Sequence, residues 1–284
     1  MKNLLLSLSF VLLLASCNSD EPNPKPMPDP SVLAKHQAPF GSQPVDIKLK
    51  KLMYNGKLIA EYMYDGDMLS EQKKYLTFRV PGHYQTGSFK RNGGFTESYE
   101  VISADWIGES EYVSDVFKPT YALNFKAPLS DTLVSVTEEN LTFLDTYYRI
   151  YVFDKEGFIK REEFSEGPGN AGTDFKIFYQ RDAKHNILKS DLRYTTQPDI
   201  PQEVTYEYDT HPNPFFKLGI DRSGQLSIHS LSPNNIVKET VIPFNGPAYS
   251  IKYTYEYSPN GYPSKVTVKS DSPTSLAYTI DFVY

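Results

Sequence analysis

Ser250-Ile251-Lys252-Tyr253-Thr254-Tyr255-Glu256-Tyr257 alternates without a break. Ile251, Tyr253, Tyr255 and Tyr257 share one face, and Ser250, Lys252, Thr254 and Glu256 share the other. A period of two with one apolar and one polar face is the pattern of an antiparallel strand buried on one side. Val204-Thr205-Tyr206-Glu207-Tyr208 repeats it. Tyr278, Ile280, Phe282 and Tyr284 carry it to the last residue, with Thr279 and Asp281 opposite. The composition extends the reading to the whole chain. The 22 Tyr and 17 Phe favour strands, and the 21 Pro and 16 Gly favour the turns between them.

These strands form a degenerate internal repeat. Its unit is an aromatic strand, a polar turn, then an apolar residue and a Lys-rich strand. Tyr151-Val152-Phe153-Asp154-Lys155-Glu156-Gly157-Phe158-Ile159-Lys160 is one copy. Tyr179-Gln180-Arg181-Asp182-Ala183-Lys184-His185-Asn186-Ile187-Leu188-Lys189 is another. Asp154, Asp182, Asp209, Ser232 and Ser258 mark the turns, at intervals of about 28, 27, 23 and 26 residues, one hairpin and its connection per repeat. Asp, Ser, Asn and Gly at these positions supply local hydrogen bonds and positive φ. Tyr62-Met63-Tyr64-Asp65-Gly66-Asp67 is an earlier copy. Residues 78–127 fit the unit less well, and Gly82, Gly87, Gly93 and Gly94 there suggest bulged hairpins. Ser135 and Glu138 match a helix capping box, while the β-rich residues after them favour a strand equally; both readings stay open.

The N-terminus is an address. Met1-Lys2 precedes a run of twelve mostly apolar residues, 4–15, and then Ser16 and Cys17, the only cysteine. A helix of twelve residues spans about 18 Å, short of a bilayer core of roughly 30 Å, so a cleaved leader is expected rather than a spanning helix. Leu14-Ala15-Ser16-Cys17 resembles the lipobox of bacterial lipoproteins. The resemblance implies a leader over residues 1–16, lipid attachment at Cys17 and a multiply acylated anchor, which holds stably where a single chain does not. Residues 17–44 then read as the lipidated cysteine and a Pro-rich tether. Pro22, Pro24, Pro26, Pro28 and Pro30 favour extended polyproline II. Asp20 and Glu21 resemble the surface-export signal of Bacteroidota lipoproteins, which implies an outer-membrane lipoprotein facing outward; a periplasm-facing one is the alternative.

With no second cysteine, no internal disulfide staples the exported chain, and its stability must come from a core. Residues 45–284 are long enough for one large β domain, with a sub-boundary conceivable near 128–140. The formal charge of −6 argues against nucleic acid as a partner.

The hairpin repeat resembles the YD repeats of large bacterial surface and toxin-shell proteins. The whole arrangement is similar to Bacteroidota lipoprotein families of unknown function described as having a porin-like fold. Lipobox, Pro-rich tether, Tyr206-Glu207-Tyr208-Asp209 followed by Pro212-Asn213-Pro214-Phe215, and terminal Tyr-rich hairpins carry that similarity. It implies an all-β fold, a twisted antiparallel sheet of repeated hairpins curling toward an open or closed barrel. It implies no activity.

No motif assigns chemistry. Gly167-Pro168-Gly169-Asn170-Ala171-Gly172 has dinucleotide-loop spacing, but a β-rich stretch follows instead of the helix such a site needs, so a hairpin loop is expected. No nucleophile elbow, zinc helix or P-loop occurs. His36, His83, His185, His211 and His229 are scattered without ligand spacing, and Asp65-Gly66-Asp67 lacks the other ligands of a calcium loop. No catalytic residue, metal site or cofactor is therefore assigned. Carboxylates are plentiful, but no pair of the kind glycoside hydrolysis needs stands out. The aromatic load is the one functional pointer. Trp106, Tyr112, Tyr121, Phe215 and Phe216 lie outside the regular repeats and are the candidate ligand contacts, whereas the repeat tyrosines are expected to be core and cross-strand ladders. The reading is a non-enzymatic cell-surface lipoprotein, held to the membrane by its lipid and acting as a binding or interaction module for a glycan or a surface protein. The alternatives are a glycan-binding protein of a polysaccharide-uptake system, a hydrolase with an unrecognised carboxylate pair, and a transmembrane barrel, which needs an unbroken apolar outer band.

Overall fold

The computed structural model describes residues 45–74, 83–92, 95–105, 114–125, 132–140, 145–154, 156–165, 174–216, 218, 228–272 and 277–284. Sixteen strands run in chain order: β1 (Lys51–Tyr54), β2 (Lys57–Asp65), β3 (Met68–Lys74), β4 (His83–Asn92), β5 (Phe95–Asp105), β6 (Ser114–Phe125), β7 (Thr132–Asn140) and β8 (Asp145–Phe153). They continue as β9 (Ile159–Ser165), β10 (Phe175–Arg181), β11 (Ile187–Tyr194), β12 (Gln197–Pro212), β13 (Asn234–Ile242), β14 (Tyr249–Tyr257), β15 (Pro263–Ser270) and β16 (Ala277–Val283). Each pairs antiparallel with its sequence neighbours. β1 pairs with β16, Leu52 opposite Phe282, so the sheet closes into a barrel with no free edge. The stretch holding Ser135 and Glu138 is strand β7, not a helix.

The repeat unit is a five-residue turn with one built-in geometry. Asp154 N donates to Phe158 O at 2.9 Å and Gly157 N to Asp154 O at 3.1 Å. Asp182 with Asn186, and Ser258 with Tyr262, repeat both bonds. The fourth residue, Gly157, His185 or Gly261, has positive φ (89°, 68°, 84°), as expected of a type I turn closed by a left-handed residue. The first residue then satisfies the turn's inner amides. Asp154 Oδ1 accepts from Glu156 N and Phe158 N, and Asp182 Oδ1 from Lys184 N and Asn186 N, the latter two at 2.8 Å.

These turns share one end of the barrel, the near rim, where the chain also enters: Val45 N donates to Asp67 O. The spacing of turn markers needs one correction here. Asp209 and Ser232 do not belong to two hairpins. They stand at the two ends of a single long connection between β12 and β13, which inserts the Asn213 turn, Leu218 and a single 3-10 turn at Ile228–Ser230. Asn213 binds the connection to itself, its Nδ2 donating to His229 O and to Ser232 O. Asp209 Oδ2 instead accepts the Tyr257 hydroxyl from the next hairpin.

Just inside the near rim the lumen is packed. One apolar cluster joins Tyr151, Phe153, Ile159, Tyr179, Ile187, Tyr206 and Ile236, capped by Leu231. A second joins Leu49, Leu52, Tyr62, Leu69, Val266, Val268 and Phe282, capped by Leu218. The long connection thus drops one leucine into each cluster. Buried strand ends are satisfied by inward side chains. Tyr64, Tyr208 and Tyr284 donate their hydroxyls to Leu49 O, Ile187 O and Pro263 O at 2.8–2.9 Å, and Arg181 donates to Ile159 O at 3.2 Å. Each donor reaches back to the start of the preceding strand. Without such donors, the carbonyls would be desolvated and unpaired.

Replacing Asp182 by Ala removes the acceptor for two amides and for Asn186 Nδ2. Chemical denaturation is expected to show a loss of about 2 kcal/mol. Lys184→Ala, exposed in the same turn, should stay within about 0.5 kcal/mol. Equal values for the two variants would show that the Asp does not hold the turn.

Candidate functional site

Six hairpins with near-rim turns carry one extra residue on the return strand: Ser70, Glu97, Lys160, Leu188, Val237 and Ser264. Such a bulge moves every later side chain to the other face. Ser70 and Ser264 also close theirs, donating to Met63 O and Glu256 O across the strand at 3.1 Å. Three residues past the first apolar residue of the return strand, a polar side chain is thereby turned inward: Gln72, Glu162, Ser190 and Glu239. In register they face Tyr62, Tyr151, Tyr179 and Tyr206 on the outgoing strands.

This layer is a hydrogen-bonded girdle above the apolar plug. Arg149 Nη1 lies 3.1 Å from Glu162 Oε1, and the Tyr179 hydroxyl donates to Glu162 Oε2 at 3.5 Å. The Ser190 and Tyr206 hydroxyls share a bond of 2.9 Å. The Tyr253 hydroxyl donates to Glu239 Oε1 at 2.7 Å, and His229 Nε2 lies 3.7 Å from the same oxygen. Burial raises the tyrosine pKa values, so these hydroxyls keep their protons at neutral pH. Burial also lowers His229, against the pull of Glu239.

A cavity of about 360 Å³ stands on this girdle, between β9 and β12. Its floor is Glu162, Tyr179, Ser190, Tyr206 and Ile228. Its apolar wall is Phe175, Ile177, Leu192 and Val204, with Gln202 and Tyr194 completing it toward the far rim. An aromatic arc edges that end. Arg149 sits 4.7 Å over Phe164, Phe164 stacks on Phe175 at 5.1 Å, and Tyr194 bridges Phe175 to Phe244 at 6.2 and 5.5 Å.

Glu162 is the charged group of the cavity, and it is 1% exposed. Burial pushes its pKa up from 4.5 to about 7, although Arg149 and the Tyr179 hydroxyl favour the carboxylate. It was not among the candidate residues because the bulge at Lys160 hides its direction. Counted by twos from Ile159, Arg161 and Glu163 would point inward. In the barrel Arg161 and Glu163 face outward and pair at 2.9 Å.

Of the candidate aromatics whose side chains are described, Phe215 and Phe216, neither lines this cavity. Trp106 and Tyr112, like Cys17 and the 167–172 loop, lie outside the described residues. Tyr121 is on β6 opposite Val136. Phe215 and Phe216 follow the Asn213 turn. The Phe215 ring lies 5.9 Å from Phe282 and packs against the second apolar cluster. The next described element after residues 167–172 is strand β10 rather than a helix. Among the described residues no three His, Cys, Asp or Glu side chains converge as metal ligands would.

The outer face has the opposite character. Lys51–Glu61, Lys176–Glu163, Lys189–Glu203, Lys238–Glu207 and Lys265–Asp281 link adjacent strands at 2.6–3.8 Å. Among the described residues the exposed large apolar side chains, Met63, Tyr148, Leu188, Ile242 and Val283, are dispersed on different strands.

Solved structures similar to this chain include two that are each described as a porin-like protein. One, from Bacteroides uniformis, has 10% sequence identity and a TM-score of 0.42, with 85% of this chain and 98% of that chain covered. The other, from Bacteroides vulgatus, has 13% identity and a TM-score of 0.38, with 84% and 99% covered. No protein-family model matches the sequence, and no curated protein matches it.

Folded Glu162 keeps its proton up to about pH 7, whereas the unfolded chain releases it near 4.5. Between these values the folded state binds more protons, so this residue makes stability fall as pH rises. Glu162→Gln has no such slope. Its Tm relative to wild type is expected to climb between pH 5 and 8, by the equivalent of up to about 3 kcal/mol. A difference that stays flat over that interval would mean that burial does not dominate at Glu162.

Proposed function

We propose that this chain is a lipid-tethered, cell-surface binding module that holds a small ligand inside a barrel lying outside the bilayer. The observation that carries the reading is the sidedness of the wall. Among the described residues, cross-strand ion pairs lie on the outer face of β1, β2 and β9–β16, and aromatic and apolar side chains fill the inner face of the same strands. A membrane-spanning barrel needs the reverse, an apolar band outside, and charged residues at mid-bilayer depth cost roughly 2–4 kcal/mol each. Among the described residues, two apolar clusters under Leu218 and Leu231 fill the near-rim end, which suits a blind pocket better than a channel.

Among the described residues, the lumen carboxylates Glu162 and Glu239 are each occupied by a protein partner, Arg149 and Tyr253. That pairing favours holding a ligand over hydrolysing one. The tether of residues 18–44 would join the barrel at the near rim, where Val45 is bound. The lipid at Cys17 would therefore pull on the closed end and leave the cavity directed away from the outer membrane. Fully extended, those residues reach roughly 80 Å.

Metabolic palmitate labelling with cell fractionation tests the reading. Label is expected in wild type and absent in Cys17→Ser, and the Cys17→Ser protein should be recovered in the aqueous fraction without detergent. Persistent label would contradict the anchor. A Cys17→Ser protein extracted only by detergent would contradict a barrel outside the bilayer.

A further inference from the structure

We propose that the lumen cavity binds a neutral sugar of one or two rings, its hydroxyls held by Glu162, Gln202 and the Ser190–Tyr206 pair and its carbon face laid against Phe175 and Tyr194. The proposal rests on the lumen-binding reading above and adds the class of ligand.

Charge narrows the class first. The Arg149 guanidinium contacts Glu162 from behind, 3.1 Å away, and is not part of the cavity wall. A cationic ligand would meet a carboxyl already paired with a guanidinium, and an anion would meet that buried carboxyl before the arginine. A neutral ligand avoids both penalties.

Polarity narrows it further. A wholly apolar ligand would strip water from Glu162, Ser190 and Gln202 without replacing their hydrogen bonds, which weakens binding at each group. The polar groups also have capacity to spare. Glu162 Oε2 is held by a long contact of 3.5 Å to Tyr179, so it can accept a stronger donor. Ser190 and Tyr206 use one O–H between them and can turn the other to a ligand. Gln202, beside Leu192 on the neighbouring strand, offers both a donor and an acceptor. Several hydroxyl-binding groups around one side, with aromatic and branched apolar residues on the other, match the two characters of a pyranose ring.

Size sets the upper limit. About 360 Å³ is at the small end of ligand pockets, which run roughly 300–1,000 Å³. That is room for one or two rings and not for a polysaccharide chain lying across the site.

Calorimetric titration of the purified protein with glucose, galactose, N-acetylglucosamine, maltose and cellobiose tests this. Fluorescence titration with the apolar probe N-phenyl-1-naphthylamine runs alongside. At least one sugar is expected to bind. Gln202→Ala and Phe175→Ala should each weaken it about tenfold or more, while Lys189→Ala on the outer face leaves it unchanged. Melting curves accompany every variant, and Glu162→Gln provides a third lumen substitution if one of the others fails to fold. Sugar binding untouched by every lumen variant would overturn the proposal. Binding of the naphthylamine but of no sugar would overturn the sugar assignment alone. Binding of neither would overturn the lumen reading with it.

Discussion

A single extra residue on the return strand of each bulged near-rim hairpin determines what this barrel contains. Lys160, Leu188, Val237 and Ser264 are each skipped by the strand ladder. Each skip reverses the faces of every residue that follows. The first apolar residue of the return strand, Ile159, Ile187 or Ile236, enters the plug. After the skip, Glu162, Ser190 and Glu239 enter the layer above it. Without the skip, Lys189 and Asp191 would be forced into the lumen, and Ser190 and Leu192 would be left outside. Register errors of this kind are costly where one face is buried.

The same device separates a dry end from a wet one. Below the bulges, the plug residues are apolar, and the rim carbonyls among them take hydrogen bonds from Tyr64, Arg181, Tyr208 and Tyr284. Burial lowers the Arg181 pKa to about 10, which leaves the guanidinium charged and able to donate. Above the bulges, tyrosine hydroxyls meet carboxylates, an amide and a serine. The repeat's two characteristic residues thus have different tasks. The aspartate closes its own turn, and the tyrosine or arginine before it binds the hairpin behind.

Much of this was legible in the sequence. The alternation at 250–257 and at 204–208 became β14 and part of β12, and Asp154 and Asp182 are turn residues as their spacing indicated. The repeat tyrosines Tyr151, Tyr179 and Tyr206 are core residues, as their periodicity suggested. The contents of the lumen were hidden for a physical reason. A strict period of two assigns Arg161 and Glu163 inward, and nothing in the composition of Lys160 reveals that the ladder passes over it. The β12–β13 connection was misread because Ser232 sits before an apolar residue and a lysine, as a hairpin turn would. It is the return of a long excursion whose anchor, Asn213, bonds to backbone carbonyls that no local pattern displays.

The most direct measurement is thiol labelling of single cysteines placed along β11 in a Cys17→Ser background, at Ile187, Lys189, Ser190, Asp191 and Leu192. Rapid maleimide reaction is expected at Lys189 and Asp191, with Ile187, Ser190 and Leu192 protected. The face reversal after Leu188 would then be visible along one strand. Protection at Ile187, Lys189 and Asp191 with rapid reaction at Ser190 and Leu192 would mean an unbroken ladder, and would contradict the bulge on which the girdle, the cavity and the charged outer wall depend.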